Sequence, residues 1–218
     1  MNVLELHNVS KSYGKKRILY AVNLSCKTGD IIGMFGNNGS GKSTFLKIVF
    51  GLVKSSNSKL FVNAIPILNS IESLKIAYLP QHNFFSKKLK VFQIIDLFFS
   101  DAIKQLEIVR NDTLISTLLN KKIVELSLGE LKYLEVFIIC YLPHPFLLLD
   151  EPFSMIDPLQ KERIKALILK SSKTKGIIIT DHYYEDVLQI STRNILIKNS
   201  EIIKIEDSND LKKEAYLS

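Results

Sequence analysis

One stretch in the first quarter of the chain has the residue types and the order to hold a polyphosphate. Gly36-Asn37-Asn38-Gly39-Ser40-Gly41-Lys42-Ser43, followed by Thr44, fills every position of the pattern G-x-x-x-x-G-K-[ST]. Glycines let consecutive backbone N–H groups turn inward around anionic oxygens. A helix that starts at such a loop adds its positive N-terminus to the same anion. Lys42 supplies a mobile cation for the β- and γ-phosphates, and the Ser43 hydroxyl is an oxygen ligand suited to Mg²⁺. A second cluster lies far along the chain, where the apolar run Phe146-Leu147-Leu148-Leu149 ends in Asp150-Glu151. Successive side chains at a strand end point in different directions, so one acid can face a metal while its neighbour faces the terminal phosphate. The carboxyl edge of a parallel sheet is where such ligands bind.

Both clusters need elements to position them. An apolar strand, Ile31 to Phe35, leads into the glycine-rich loop, and a helical run from Ser43 to Phe50 leaves it and stops at Gly51. Val3–His7 and Ile18–Leu24 alternate like half-buried strands, and Ile76–Leu79 reads as a short strand. Residues 82–126 lack strong strand signals and read as a helical insertion, with helices near 91–99 and 112–119. From Ser127 a helix runs to about Tyr141. Strands at 146–149 and 177–180 then alternate with helices at 158–170 and 184–190. Arg193–Lys198 and Glu201–Ile205 read as a hairpin turning at Asn199-Ser200, and a short helix follows. This alternation predicts an α/β layer protein with a largely parallel central sheet.

Composition narrows the classes. The chain has 218 residues, 46% hydrophobic and 23% charged, which suits one folded domain with a real core and excludes a disordered chain. The net charge of +7 is concentrated in residues 1–60, which hold nine basic and two acidic residues. It therefore follows the phosphate loop, and no nucleic-acid partner is expected. No uncharged apolar run reaches the roughly 18 residues of a spanning helix. Cys26 and Cys140 form no CxxC pair and read as buried thiols of a reducing compartment.

Taken in order, the motifs resemble those of the ATP-binding subunits of ABC transporters, over nearly the whole chain. Residues 36–44 match the Walker A loop, and the run ending in Asp150-Glu151 matches Walker B followed by the catalytic glutamate. Tyr13, in Lys11-Ser12-Tyr13-Gly14, matches the aromatic that stacks on adenine. Gln81, in Tyr78-Leu79-Pro80-Gln81, matches the Q-loop glutamine. Leu126-Ser127-Leu128-Gly129-Glu130 resembles the LSGGQ signature, Ser154-Met155-Ile156-Asp157 the D-loop, and His182 the switch histidine. The resemblance implies a P-loop ATPase core (1–81 and 127–218) with an N-terminal antiparallel β subdomain and a helical subdomain at 82–126.

It further implies ATP and Mg²⁺ as ligands, with Glu151, His182, Gln81 and Lys42 catalytic and Ser43, Gln81 and Asp150 around the metal. Ser127, Leu128, Gly129 and Glu130 would act in trans on the nucleotide of a second ATP-binding subunit, a like or an unlike chain. Asp157 would lie at the same interface. The implied partner is a separately encoded membrane-spanning permease, which would hold the chain on the cytoplasmic face of the inner membrane. The alternatives are a soluble ABC ATPase not coupled to transport and a low-turnover, nucleotide-gated regulatory module. Leu128 departs from the pattern, where the signature has its first glycine. Glycine reaches backbone angles, and allows a close phosphate approach, that leucine resists, so a functional site with lowered ATPase is expected and the signature geometry stays open. Phe84, Phe85, Phe92, Phe98 and Phe99 are expected mostly in the small-subdomain core, with one or two left for docking.

Overall fold

Two sheets, one antiparallel and one mostly parallel, organise the chain. The computed structural model describes residues 1–99, 107, 109–206 and 208–213. Residues 100–106 and 108 of the predicted helical insertion lie outside them. The smaller sheet contains β1 (Val3–Tyr13), β2 (Lys16–Lys27), β4 (Lys59–Val62) and β5 (Ile65–Pro66), in the order β2-β1-β4-β5 and antiparallel throughout. The larger contains β3 (Ile31–Phe35), β6 (Ile76–Leu79), β7 (Phe146–Asp150), β8 (Gly176–Thr180), β9 (Arg193–Lys198) and β10 (Glu201–Ile205). Its order is β10-β9-β3-β8-β7-β6, parallel except for the β9–β10 hairpin. Asn199 and Ser200 both have positive φ, 52° and 70°, the geometry of a tight two-residue hairpin turn. The predicted α/β class and the predicted turn are both observed.

The period-two alternation of strands sorts the core into two apolar layers. Ile32, Met34, Phe146 and Leu148 face the layer that holds helix α1 (Lys42–Phe50) and the inner residues of β1, Leu4 and Leu6. Ile31, Phe35, Leu147 and Leu149 face the opposite layer. That layer holds helices α2 (Val91–Phe98), α3 (Thr113–Leu118), α4 (Leu128–Tyr141), α5 (Pro158–Ser172) and α6 (Tyr184–Ile190). A short helix, α7 (Ser208–Lys213), follows the hairpin. Helix α4 is buried along almost its whole length, with Leu134, Val136, Phe137 and Ile138 fully enclosed. Truncating a side chain such as Phe137 to alanine would cost about 3–5 kcal/mol.

The sequence reading missed β4 and β5. Their strand character comes from pairing: Leu4 and Leu6 of β1 face Val62 and Leu60 across the ladder. β1 and β2 also run longer than predicted, through bulges after Leu6, Val9 and Lys11 that absorb the breaks in alternation. Among the described residues no helix is long and apolar enough to cross a membrane.

Candidate nucleotide site

The phosphate loop leaves the end of β3 and enters α1. Gly36 and Gly41 have φ of 151° and 113°. A Cβ on Gly36 would lie 2.9 Å from the Ile197 carbonyl oxygen, and one on Gly41 would lie 2.8 Å from Ile18 Cγ2. Only glycine satisfies both angle and space there. The Ser40 hydroxyl is buried with no hydrogen-bond partner, as expected of a group that waits for an anion. Lys42 is 7% exposed and its ammonium rests on the loop's own carbonyls, 2.5 Å from Gly36 O and 3.4 Å from Asn37 O. Burial pushes its pKa down, opposed by the nearby carboxylates of Glu151, Asp150 and Asp181.

The two distant clusters meet here. Ser43 Oγ donates to Asp150 Oδ1 at 3.0 Å. The same oxygen accepts from Thr180 Oγ1 at 2.8 Å, and Asp150 Oδ2 accepts from the Tyr78 hydroxyl at 3.0 Å. Burial and the neighbouring carboxylate push the Tyr78 pKa up, so this phenol remains a donor. Ser43 and Asp150 offer only oxygen ligands, the donor set that Mg²⁺ takes, so the residues fit that ion.

Glu151 follows with φ of 57°, uncommon for a residue with a side chain. Its carboxylate is a meeting point. Oε2 accepts from Gln81 Nε2 at 2.9 Å and from Ser154 Oγ at 3.1 Å, while His182 Nε2 lies 3.0 Å from Oε1. Gln81 therefore sits with Glu151 rather than with the Ser43–Asp150 pair to which the metal assignment tied it. A cavity of about 520 Å³ opens between these groups. Asn38, Gly39, Gly41, Lys42, Ser43 and Thr44 wall one side; Gln81, Glu151 and His182 wall the other.

Several residues at the site were not predicted. Lys16 and Ile18 of β2 also line the cavity. Tyr13, half exposed, lies outside its lining, directly across the ladder from Lys16, with the Lys11 ammonium 5.1 Å from its ring centroid. Asp181 is fully buried and accepts from the Phe153 N–H at 2.7 Å and the Tyr183 N–H at 3.0 Å, which ties the 153–154 loop to His182. Burial raises its pKa, with those N–H groups opposing. The sequence signal was an acid beside the switch histidine.

The start of α4 shows the backbone at Leu128. Leu128 is not among the positive-φ residues; it is the first residue of α4, and its side chain is 59% exposed. The backbone here is ordinary for leucine, and what distinguishes Leu128 is its exposed apolar side chain. Gly129 is required for a different reason, since a Cβ would lie 2.8 Å from Gln160 Cγ. Ser127 caps the helix. Its hydroxyl accepts from the Glu130 N–H at 3.2 Å, and Glu130 Oε2 accepts from the Ser127 N–H at 2.8 Å. Burial of Glu130 is outweighed by that bond and by Lys121, so its carboxyl lies below the usual range. Asp157 caps α5 in the same manner, accepting from the Gln160 N–H at 3.0 Å. Phe84 and Phe92 are exposed, whereas Phe85, Phe98 and Phe99 pack against the core.

Known proteins resemble the whole arrangement. A family model described as ABC transporter matches residues 19–154. The chain is 29% identical over 217 residues to the lipopolysaccharide export system ATP-binding protein LptB of Haemophilus influenzae, covering 93% of this chain and 90% of that one. It is 26% identical to the zinc import ATP-binding protein ZnuC of Wolbachia sp. subsp. Brugia malayi, over 91% of this chain and 81% of that one. Among solved structures, the ATP-binding subunit of an ABC transporter superposes with a TM-score of 0.85 at 19% identity, over 99% of this chain and 94% of that one. The ADP conformation of the ATP-binding cassette MJ1267 superposes with a TM-score of 0.81 at 22% identity, over 98% and 94%. These two likenesses bear on the fold.

Proposed function

The chain belongs to the ABC transporter family of ATP-binding subunits, and from that premise we propose how its own residues bind and hydrolyse ATP. It is an ATPase that powers a transporter whose membrane-spanning part is a separate subunit. The observation that carries the residue assignment is the convergence of Gln81, Ser154 and His182 on Glu151, at the edge of the cavity walled by the phosphate loop.

The loop N–H groups and Lys42 bind the phosphates, and Lys42 exchanges its two carbonyl partners for phosphate oxygens. Ser43 and Asp150 would hold Mg²⁺, which would neutralise phosphate charge. Glu151 orients the attacking water and accepts its proton, and His182 stabilises charge on the γ-phosphoryl group. Gln81, bonded to Glu151 at rest, would be among the residues that hold the metal and the attacking water once nucleotide is bound. Tyr13 stacks on the base from beside Lys16. A second ATP-binding subunit completes the site with its Ser127–Glu130 segment, and Asp157 fixes the loop at that interface. Residues 82–126 form the arm that meets a permease on the cytoplasmic face of the inner membrane. The exposed Leu128 side chain, in a position that faces a partner's phosphates in this pairing, favours an unlike partner chain as a second reading.

The test uses purified chain with ATP and Mg²⁺. Glu151→Gln is expected to abolish phosphate release, keep ATP binding, and elute as a dimer in sizing with ATP. A wild-type chain that fails to bind ATP overturns the reading. A Glu151→Gln variant that stays monomeric with ATP bound, and dimerises only when a second subunit is added, establishes the unlike pair.

A further inference from the structure

Glu151 has three side-chain partners, and they differ in what can replace it. Gln81 and His182 are exposed, so water can take its place for them. Ser154 is half-buried, and its hydroxyl faces a second carboxylate. Ser154 Oγ lies 3.1 Å from Glu151 Oε2 and 3.4 Å from Asp181 Oδ1. A serine hydroxyl has one proton, so it donates to one of the two acids at a time. The shorter distance puts that proton on Glu151 in the resting chain.

Asp181 is held where it can receive the same proton. It is fully buried, its Oδ2 accepts from the Phe153 N–H at 2.7 Å, and its Oδ1 accepts from the Tyr183 N–H at 3.0 Å. Oδ1 has a second lone pair, on which Ser154 bears. The loop between the acids is fixed as well. The Glu151 N–H donates to Thr180 O at 2.8 Å, and Glu151 and Met155, at either end of the loop, have φ of 57° and 61°. Side chains persist in that region only where the surroundings over-determine the backbone. Glu151 is therefore freed by turning its side chain, with the loop in place, and Ser154 reaches Asp181 by a small rotation of its own.

We propose that Ser154 is a two-position donor and Asp181 its second acceptor, a positioning pair that lets Glu151 turn to the attacking water without stranding a half-buried hydroxyl. This rests on the ATP-hydrolysis reading above. The exchange replaces one charge-assisted bond by another, so this partner adds little to the cost of reaching the reactive arrangement. The resting bond is the shorter, so Ser154→Ala takes more from the resting arrangement than from the reactive one. Without the Asp181 acceptor the hydroxyl stays on Glu151 and holds it back.

The test crosses Asp181→Asn with Ser154→Ala in the full chain and measures phosphate release at saturating ATP with Mg²⁺. In Asp181→Asn the amide oxygen keeps the shorter bond, to Phe153, and the N–H₂ group takes the side facing Ser154, where it cannot accept. Asp181→Asn is expected to lower kcat about five- to a hundredfold when Ser154 is present. That fall should shrink at least about fivefold in the Ser154→Ala chain and return in full with Ser154→Thr, which keeps a hydroxyl. If Asp181 only anchors the loop, the fall is the same in every background, and that result overturns the proposal. Should Asp181→Asn fail to fold, a crystal structure of the wild-type chain with a non-hydrolysable ATP analogue and Mg²⁺ decides. Ser154 Oγ is then expected within about 3.0 Å of Asp181 Oδ1 and clear of Glu151; a hydroxyl still on Glu151 with the analogue bound overturns the proposal. A chain in which the analogue moves Ser154 onto Asp181, yet ATP gives no phosphate release, refutes the hydrolysis reading alone.

Discussion

Asp150→Ala and Asp150→Asn separate what this acid does for the fold from what it does for the ligand. Asp150 is 1% exposed and is the common acceptor of three hydroxyls: Ser43 and Thr180 on Oδ1, Tyr78 on Oδ2. Alanine leaves all three without their partner. Each orphaned buried group costs about 1–3 kcal/mol, and release of a buried carboxylate offsets part of the sum. A net loss of about 3 kcal/mol lowers the melting temperature of a domain this size by roughly 6–12 °C. Asparagine is different. Its oxygen still accepts from Ser43 and Thr180, and its N–H₂ group donates to Tyr78 once that hydroxyl rotates to accept. The expected cost is about 1 kcal/mol. The negative charge that holds Mg²⁺ is nevertheless gone. Thermal melts without ligand, with ATP, and with ATP plus Mg²⁺ read both roles. Asp150→Asn should melt within about 4 °C of wild type and lose the added stabilisation from Mg²⁺. An alanine variant as stable as wild type, or an asparagine variant with the full Mg²⁺ effect, would refute the reasoning.

Leu128→Gly should raise kcat, because it clears an apolar side chain from the face offered to a partner's nucleotide, while helix propensity costs about 1 kcal/mol in the melt. Unchanged kcat in steady-state ATPase assays would show the side chain to be harmless. Phe84→Ala should reduce recovery with a membrane partner more than it reduces ATP affinity; co-purification and equilibrium binding decide between them. Lys42 gives a pH dependence. Its folded pKa lies below the ordinary 10.5, so between that lowered value and 10.5 the unfolded chain binds more protons and stability rises with pH. Lys42→Met should flatten that rise and abolish stabilisation by ATP, as melting curves across alkaline pH would register.

What the residue order reveals, and what it conceals, follows from the range of the interactions. The phosphate loop was legible because its chemistry is contiguous: glycines, lysine and serine sit side by side, and Gly36 and Gly41 have backbone angles or spacing that exclude other residues. The strands of the larger sheet were legible from their apolar residues, down to the bounds of β3, β6, β9 and β10. β4 was not, because Lys59-Leu60-Phe61-Val62 becomes a strand only through its pairing with β1. The partners of Glu151 come from separate parts of the chain, so the site Gln81 occupies at rest was not readable from its own neighbours. Leu128 left the signature geometry open because the glycine of a motif can be kept for space or for angle, and letters do not say which. Here the angle is ordinary.

The engagement of Glu151 with Gln81, Ser154 and His182 has a consequence for populations. The acid that must meet a water is satisfied by its own neighbours in the resting chain, so reaching the reactive arrangement means giving up those contacts. Whatever stabilises that arrangement selects it, by as much as it prefers it over the resting one. The apparent Kd for such a selecting ligand is the intrinsic Kd divided by the fraction of chains already competent. A change that loosens the contacts while leaving Gln81 and His182 in place, such as Ser154→Ala, should therefore tighten its binding.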